Sequence, residues 1–182
     1  LKEAAVYQID PAITARYSDS VGGIVKPQLA EGLSATLWGI DSLVKSPIAI
    51  DVDDNGRLYY TTTNRQNNSE FDIRGHQDWE IRSISLQTVE DRRKFLHAEL
   101  SPQNSYKNTW LKDVNGDSSR DWLDLTIEKE NVFRLSDING DGVADEKISL
   151  SHGYGVHIGF GGHGMSGVEM GPDGKIYWQI GD

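Results

Sequence analysis

The sequence predicts an all-β fold built from repeated short antiparallel units, and two observations support this. Glycine is abundant, with 19 of 182 residues, and is spread over many short motifs, which favours many turns and therefore many short strands. A hairpin pattern of β-rich residues around an Asn-Gly or Asp-Gly turn occurs twice. Apolar residues make up 37% and charged residues 25%, which is typical of a folded globular chain.

The two hairpins share their residue pattern. Asn55-Gly56-Arg57-Leu58-Tyr59 matches Asp173-Gly174-Lys175-Ile176-Tyr177 in kind at every position, and β-rich runs flank both. Repeated antiparallel units of this kind are found in β-propeller blades. Because Asp-Gly hairpins are common, two chance copies in another β fold are the alternative.

The chain divides into two parts in this interpretation. Residues 1–45 form an N-terminal extension, with a helical turn near 12–17 and a first strand near 33–38. Residues 46–182 form a partial β-propeller with an insertion around 64–130. Within the insertion we expect a long polar loop at 64–79. A short surface helix at 85–96 follows, with Glu90 and Lys94 as an i, i+4 pair.

The loop from residue 137 to residue 145 has the spacing of a calcium site. Oxygen donors at positions 1, 3, 5 and 9, with a backbone carbonyl at position 7, surround one centre in such loops, and a glycine at position 6 makes the sharp turn. Gly142 fills position 6 here. The flanking residues resemble strands, so a strand-loop-strand site is expected, with an Asx turn and solvated carboxylates as the alternative. The predicted ligands are Asp137, Asn139, Asp141, the Val143 carbonyl and Asp145.

A second loop repeats this spacing from residue 113. Ser118 replaces the glycine at position 6, and the resulting backbone strain is expected to weaken the site. A polar turn without metal is the alternative. A third acidic stretch, 51–56, is better explained as a hairpin turn, because Tyr59 stands where the ninth-position ligand would be. The predicted ligands of the second loop are Asp113, Asn115, Asp117 and Asp121.

Composition limits the partners and the compartment. The net charge of −10 disfavours nucleic acid, because an acidic surface repels phosphates. No apolar run reaches the roughly 18 residues of a membrane helix. With no cysteine, the chain has no disulfide, thiolate metal site or Cys-x-x-Cys-His haem attachment. Calcium loops of modest charge need the millimolar calcium found outside the cytosol, so an extracellular or periplasmic location is expected.

Residues 151–167 contain three histidines and seven glycines. Glycine allows a backbone to approach a ligand closely, and histidine titrates near neutrality as a base or metal ligand. His152, His157 and His163 are therefore candidate functional residues, with a mobile loop as the alternative.

The stretch from His163 to Asp182, HGMSGVEMGPDGKIYWQIGD, resembles the signature blade of the soluble quinoprotein glucose and sorbosone dehydrogenase family. Residues 33–63 and 131–182 are similar to the large secreted dehydrogenase-like propeller proteins, which often carry a c-type haem domain. Gly167 departs from the arginine common in relatives. The resemblance implies a six-bladed propeller that binds calcium and pyrroloquinoline quinone. At about 40–50 residues per blade, 182 residues make only a portion of it.

This resemblance implies oxidation of a sugar or alcohol hydroxyl, with His163 as the catalytic base and a haem domain as a possible downstream partner. A non-catalytic propeller module, stabilised by calcium and binding a glycan or a protein, is the alternative. A tandem calcium-repeat stalk is a third hypothesis, disfavoured by the apolar strands and aromatic hairpins.

Overall fold

The computed structural model describes residues 5–63, 71–127, 129–154, 158–159 and 164–181. Strands in antiparallel sheets dominate these residues, with few helices, as expected for an all-β protein. The strands are β1 (Val6–Gln8), β2 (Pro47–Val52), β3 (Leu58–Thr62), β4 (Phe71–Asp72), β5 (Glu130–Ser136), β6 (Glu146–Tyr154), β7 (Ile158–Gly159), β8 (Met165–Met170) and β9 (Ile176–Ile180).

Five strands form one open sheet in the order β1-β6-β5-β3-β2. The β2–β3, β3–β5 and β1–β6 pairs are antiparallel, and β8 pairs with β9 in a second hairpin. The short β4 and β7 strands pair in parallel. Among the described residues no closed sheet is seen, and none of the helices is long and apolar enough to cross a membrane.

The two longer helices begin at side-chain caps. α1 (Pro11–Val25) starts after Asp10, whose carboxylate accepts a hydrogen bond from the Ala12 amide, and Pro11 occupies the first turn, where its missing amide costs nothing. α2 (Glu80–Ile84) precedes α3 (Val89–Glu99). The predicted helix at 85–96 is thus displaced toward the C-terminus, because Thr88 and Asp91 form a capping box that fixes its start.

The strand expected at 33–38 is not formed, and the first strand is β1 instead. Residues 33–38 have irregular backbone whose carbonyls find other partners. The Ser18 hydroxyl donates to the Leu37 carbonyl (2.7 Å), and the Ala144 amide donates to the Trp38 carbonyl (2.7 Å). The alternating apolar residues at 33–38 therefore belong to a segment that packs against the sheet but does not pair as one of its strands.

The chain forms two compact units. Unit 1 comprises residues 1–62, 131–153 and 166–179, and unit 2 comprises residues 63–130, 154–165 and 180–182. The core of unit 1 lies against the five-stranded sheet and contains Ile40, Leu43, Tyr60, Leu135 and Ala144. Burial raises the pKa of Tyr60 to about 12, and its hydroxyl donates to the Leu43 carbonyl at 2.7 Å.

Unit 2 has a separate core of Trp79, Leu100, Leu111 and Leu125. Aromatic contacts surround it: His76 stacks on Trp79 with ring centroids 4.5 Å apart, and His97 stacks on Trp122 at 4.3 Å. Burial lowers the pKa of His76, and the Asp78 charge opposes this effect.

Candidate metal centre

The first carboxylate of the 137–145 loop closes its turn. Asp137 Oδ1 accepts from the Gly140 amide at 2.7 Å, and Oδ2 accepts from the Gly142 amide at 2.8 Å. Both glycines have positive φ, +78° and +91°, which a side chain would strain. Each carboxylate oxygen has two lone-pair positions, so these bonds leave capacity for a cation.

Asn139 and Asp141 form the middle of the loop. The Asn139 amide oxygen accepts from the Asp141 amide (3.1 Å), and its nitrogen donates to Asp141 Oδ2 (3.0 Å). Asp141 Oδ1 accepts from the Val143 amide at 2.9 Å. Successive side chains thus fold back onto the loop backbone, so hard oxygen atoms are gathered within a nine-residue segment.

Asp145 is the buried member of the loop. It is 0% exposed, and its Oδ1 accepts from the Ile138 amide at 3.1 Å. Its Oδ2 is buried and has no hydrogen-bond partner within the described part of the chain. Burial raises the pKa of the Asp145 carboxyl, and the nearby charges of Asp137 and Asp141 raise it further, against the hydrogen bond from Ile138. A cation would stabilise a buried carboxylate oxygen that has no hydrogen-bond partner and experiences the charges of two other carboxylates.

The second loop reproduces this geometry. Five hydrogen bonds recur at equivalent positions with distances within 0.2 Å. They are Gly116 N to Asp113 Oδ1 (2.7 Å), Ser118 N to Asp113 Oδ2 (2.9 Å), Asp117 N to Asn115 Oδ1 (2.9 Å), Asn115 Nδ2 to Asp117 Oδ2 (3.0 Å) and Ser119 N to Asp117 Oδ1 (2.8 Å). The repeated sequence spacing therefore corresponds to a repeated structure.

The sixth position of the second loop carries the strain that its sequence predicts. Ser118 has φ of +69°, in the left-handed region that glycine occupies in the first loop. The loop keeps its hydrogen bonds, so the strain is accommodated by the rest of the segment.

Asp124 is a functional candidate that the sequence analysis missed. It stands at position 12 of the second loop, where EF-hands place their last carboxylate, and it is 0% exposed. Its Oδ1 accepts from the Val114 (2.8 Å) and Asn115 (3.2 Å) amides, and its Oδ2 accepts from the Asp121 amide (2.9 Å). Counting three residues beyond Asp121 would have found it.

Asp121 is also buried, at 1% exposed. Its Oδ1 accepts from the Leu123 amide (2.8 Å) and its Oδ2 from the Ser119 hydroxyl (2.6 Å). Among the described residues, neither Asp121 nor Asp124 has a basic side chain within salt-bridge distance. Yet no three His, Cys, Asp or Glu side chains of those residues form a group that could hold a metal as they stand. Calcium at either loop stays a prediction.

Part of the histidine run, residues 155–157 and 160–163, lies outside the described residues. His163, the predicted base, and His157 lie outside them, whereas His152 is exposed on β6. A second residue missed from sequence, Glu130, lies near the end of this run in the structure. Glu130 is 0% exposed, and its carboxylate accepts from the Met165 amide (2.7 Å) and the Thr63 hydroxyl (2.6 Å). It therefore holds the start of β8.

The predicted repeat of the hairpins is present as the same turn. The Gly56 amide donates to the Asp53 carbonyl, and the Gly174 amide donates to the Gly171 carbonyl, both at 2.9 Å. Gly56 and Gly174 have φ of +72° and +73°. The hairpins contact each other through Asp51, whose Oδ2 accepts from the Met170 amide.

No protein-family model, curated protein or solved structure matches this chain.

Proposed function

We propose that this chain is a calcium-stabilised β module of an extracellular or periplasmic protein of the quinoprotein dehydrogenase-like class. The observation that supports it is the buried Oδ2 of Asp145, which has no hydrogen-bond partner among the described residues. The charges of Asp137 and Asp141 also raise the pKa of this carboxyl group. A cation beside this oxygen would neutralise the repulsion among the three carboxylates.

The chemistry of the donors favours calcium over other cations. The loop offers carboxylate and amide oxygens with the Val143 carbonyl, and a chain without cysteine has no thiolate ligand. Calcium takes such oxygen ligands in flexible geometry, whereas magnesium requires near-ideal octahedral sites and zinc prefers nitrogen and sulfur.

Calorimetric titration of calcium into the metal-free chain tests this proposal. We expect binding that Asp137→Asn weakens by at least about tenfold, because a ligand charge is lost. Asp173→Asn is the matched control, since Asp173 also holds a turn, by accepting from the Lys175 amide (3.1 Å), and should leave the affinity unchanged. Absence of binding, or equal effects of the two variants, would contradict the assignment. Asp113→Asn then shows whether the second loop contributes a second ion.

We further propose that the full-length protein oxidises a sugar or alcohol hydroxyl, with His163 as the base. The resemblance at 163–182 supports this, and pyrroloquinoline quinone, where bound, would accept the hydride. The test is dye reduction on aldoses and alcohols with added quinone, comparing wild type with His163→Ala. His152→Ala is the control, since this exposed histidine on β6 is not expected to act as the base. Unchanged activity of His163→Ala would contradict its role.

The alternative, a non-catalytic module that binds a glycan or protein, is favoured by exposed aromatic side chains in unit 2. Tyr106 is 72% and Trp110 41% exposed, and aromatic faces with polar edges are common at such surfaces. Glycan-array binding without turnover in the dye assay would support this candidate over the enzyme.

A further inference from the structure

The last residues of the 137–145 loop are also the anchor of the N-terminal segment, residues 5–38. The Asp145 amide donates to the Ser136 carbonyl (3.1 Å) and so continues the sheet. The Asp145 carbonyl accepts from the Ile9 amide at 2.9 Å, and the Ala144 amide donates to the Trp38 carbonyl at 2.7 Å. Two consecutive residues of the loop therefore hold both ends of the segment.

The contacts that continue this anchor are close to it. β1 pairs with the start of β6 over three residues, and the Ser149 amide donates to the Ala5 carbonyl at 2.9 Å. Ile9 and Trp38 pack against the core cluster that contains Ala144. Burial of this part of the segment thus depends on the position of the loop.

The remainder of the segment buries little apolar surface. Val6 and Tyr7 of β1 are each 53% exposed, and Ile24 and Val25 of α1 are 79% and 63% exposed. A region with few buried apolar groups has a low free energy of local opening. The hydrogen bonds at Ile9 and Trp38, together with the β1–β6 pairing, therefore contribute much of its attachment.

We propose that calcium in the 137–145 loop controls the attachment of residues 5–38 to the sheet. This inference depends on the proposed calcium binding. Without a cation, Asp137 and Asp141 repel the buried carboxylate of Asp145, and a shift of this residue relieves the repulsion. The same shift removes the carbonyl that Ile9 uses. With calcium bound, the loop is fixed and both anchors are kept.

Limited trypsin digestion, followed by mass spectrometry, tests the proposal. Arg16 is an exposed cleavage site in the segment, whereas Arg92 and Arg93 lie in α3 of unit 2 and serve as internal references. We expect excess chelator to accelerate cleavage at Arg16 by about tenfold relative to millimolar calcium, with little change at the α3 sites.

Three outcomes would overturn the inference in distinguishable ways. Equal acceleration at the segment and the α3 sites would show global unfolding. Calorimetric calcium binding without protection of Arg16 from cleavage would leave the proposed function intact and remove the control of the segment. Absence of calcium binding would remove both.

A pair of variants isolates the anchor. Ile9→Pro removes the amide that donates to the Asp145 carbonyl, and Ile9→Ala keeps that amide while it removes the side chain. If the anchor acts as proposed, Ile9→Pro is cleaved rapidly at Arg16 even in calcium, and Ile9→Ala is cleaved more slowly. Both variants should still bind calcium. Equal cleavage of the two in calcium would contradict the role of this hydrogen bond.

Discussion

The Tyr59 hydroxyl donates a hydrogen bond to Asp53 Oδ2 at 3.0 Å, across the first hairpin. The same oxygen accepts from Arg57 Nε at 2.7 Å, and Oδ1 accepts from the amides of Asn55 (2.9 Å) and Arg57 (3.0 Å). Burial opposes the ionised form of Asp53, but these hydrogen bonds outweigh it and lower the pKa of its carboxyl to about 2. One carboxylate thereby fixes both the turn and the returning strand.

This arrangement predicts acid sensitivity of the fold. The pKa of Asp53 is lower in the folded chain than its ordinary value of 3.8, so its stabilisation is fully present above about pH 4. It is lost as the pH falls through about 2. Asp53→Asn should lower the free energy of unfolding by about 1–3 kcal/mol at pH 6, with a smaller difference near pH 2. Urea denaturation at several pH values measures this.

Asp173→Asn is the control for the first prediction. Asp173 accepts from the Lys175 side chain and amide and from the Tyr177 hydroxyl, but it is 39% exposed, so water replaces lost bonds more readily. Its substitution should cost less than that of Asp53, whose side chain is 6% exposed. A pH-independent effect of Asp53→Asn would contradict the proposed ionic role.

Asp145→Asn should change the melting temperature differently in the metal-free and the calcium-bound protein. Burial and the charges of Asp137 and Asp141 raise the pKa of Asp145, so a neutral side chain relieves a cost in the metal-free protein. We expect the variant to melt at or above the wild-type temperature in chelator. In calcium at about 100 times the Kd, the wild type should gain about 2.7 kcal/mol, or several degrees, and the variant should gain much less.

Ile138→Ala is the control for this second prediction. Ile138 is 52% exposed, and its amide, which donates to Asp145, is retained. The variant should keep the calcium-dependent shift in melting temperature. A normal shift in Asp145→Asn would show that its carboxylate is not a ligand.

Local features of this chain could be predicted from sequence because short-range chemistry determines them. The two hairpin turns need Gly56 and Gly174 at positive φ, and the Asp137 loop needs glycine at its fourth and sixth positions. The strain at Ser118 follows in the same way. None of these features depends on residues far away in the chain.

Features that depend on tertiary contacts could not be predicted in this way. The segment at 33–38 alternates like a strand, but its Trp38 carbonyl is taken by Ala144, more than 100 residues later. Glu130 resembles an ordinary surface residue until Met165 and Thr63 approach it. Asp124 was missed because the template from the first loop ended at position 9.

Ser118→Gly should stabilise the second loop. Removing the side chain relieves a left-handed backbone conformation that costs about 1 kcal/mol in residues other than glycine. The gain in the free energy of unfolding should therefore be about 0.5–1 kcal/mol, and calcium affinity at this loop should rise if it binds the ion. Gly142→Ser makes the reverse change in the first loop and should destabilise it. Urea denaturation of both variants tests this, and effects of the same sign would contradict it.

Asp124→Asn should destabilise unit 2 more than Asp121→Asn. Both substitutions remove one charge from the same pair of buried carboxylates, so their difference reports hydrogen bonding. Both oxygens of Asp124 accept from backbone amides. In Asp124→Asn, the side-chain nitrogen replaces one of these oxygens and then faces a backbone N–H, so two hydrogen-bond donors oppose each other.

Asp121 differs because Oδ2 bonds to the Ser119 hydroxyl, which can reverse its direction and accept from an Asn nitrogen. The buried donor left unpaired in Asp124→Asn should cost about 1–3 kcal/mol more than the change at Asp121. Urea denaturation followed by tryptophan fluorescence measures this in unit 2, where Trp122 packs against the core. Equal losses would show that Asp124 acts through its charge alone, and its bonds to the Val114, Asn115 and Asp121 amides would then contribute no net stability to the loop.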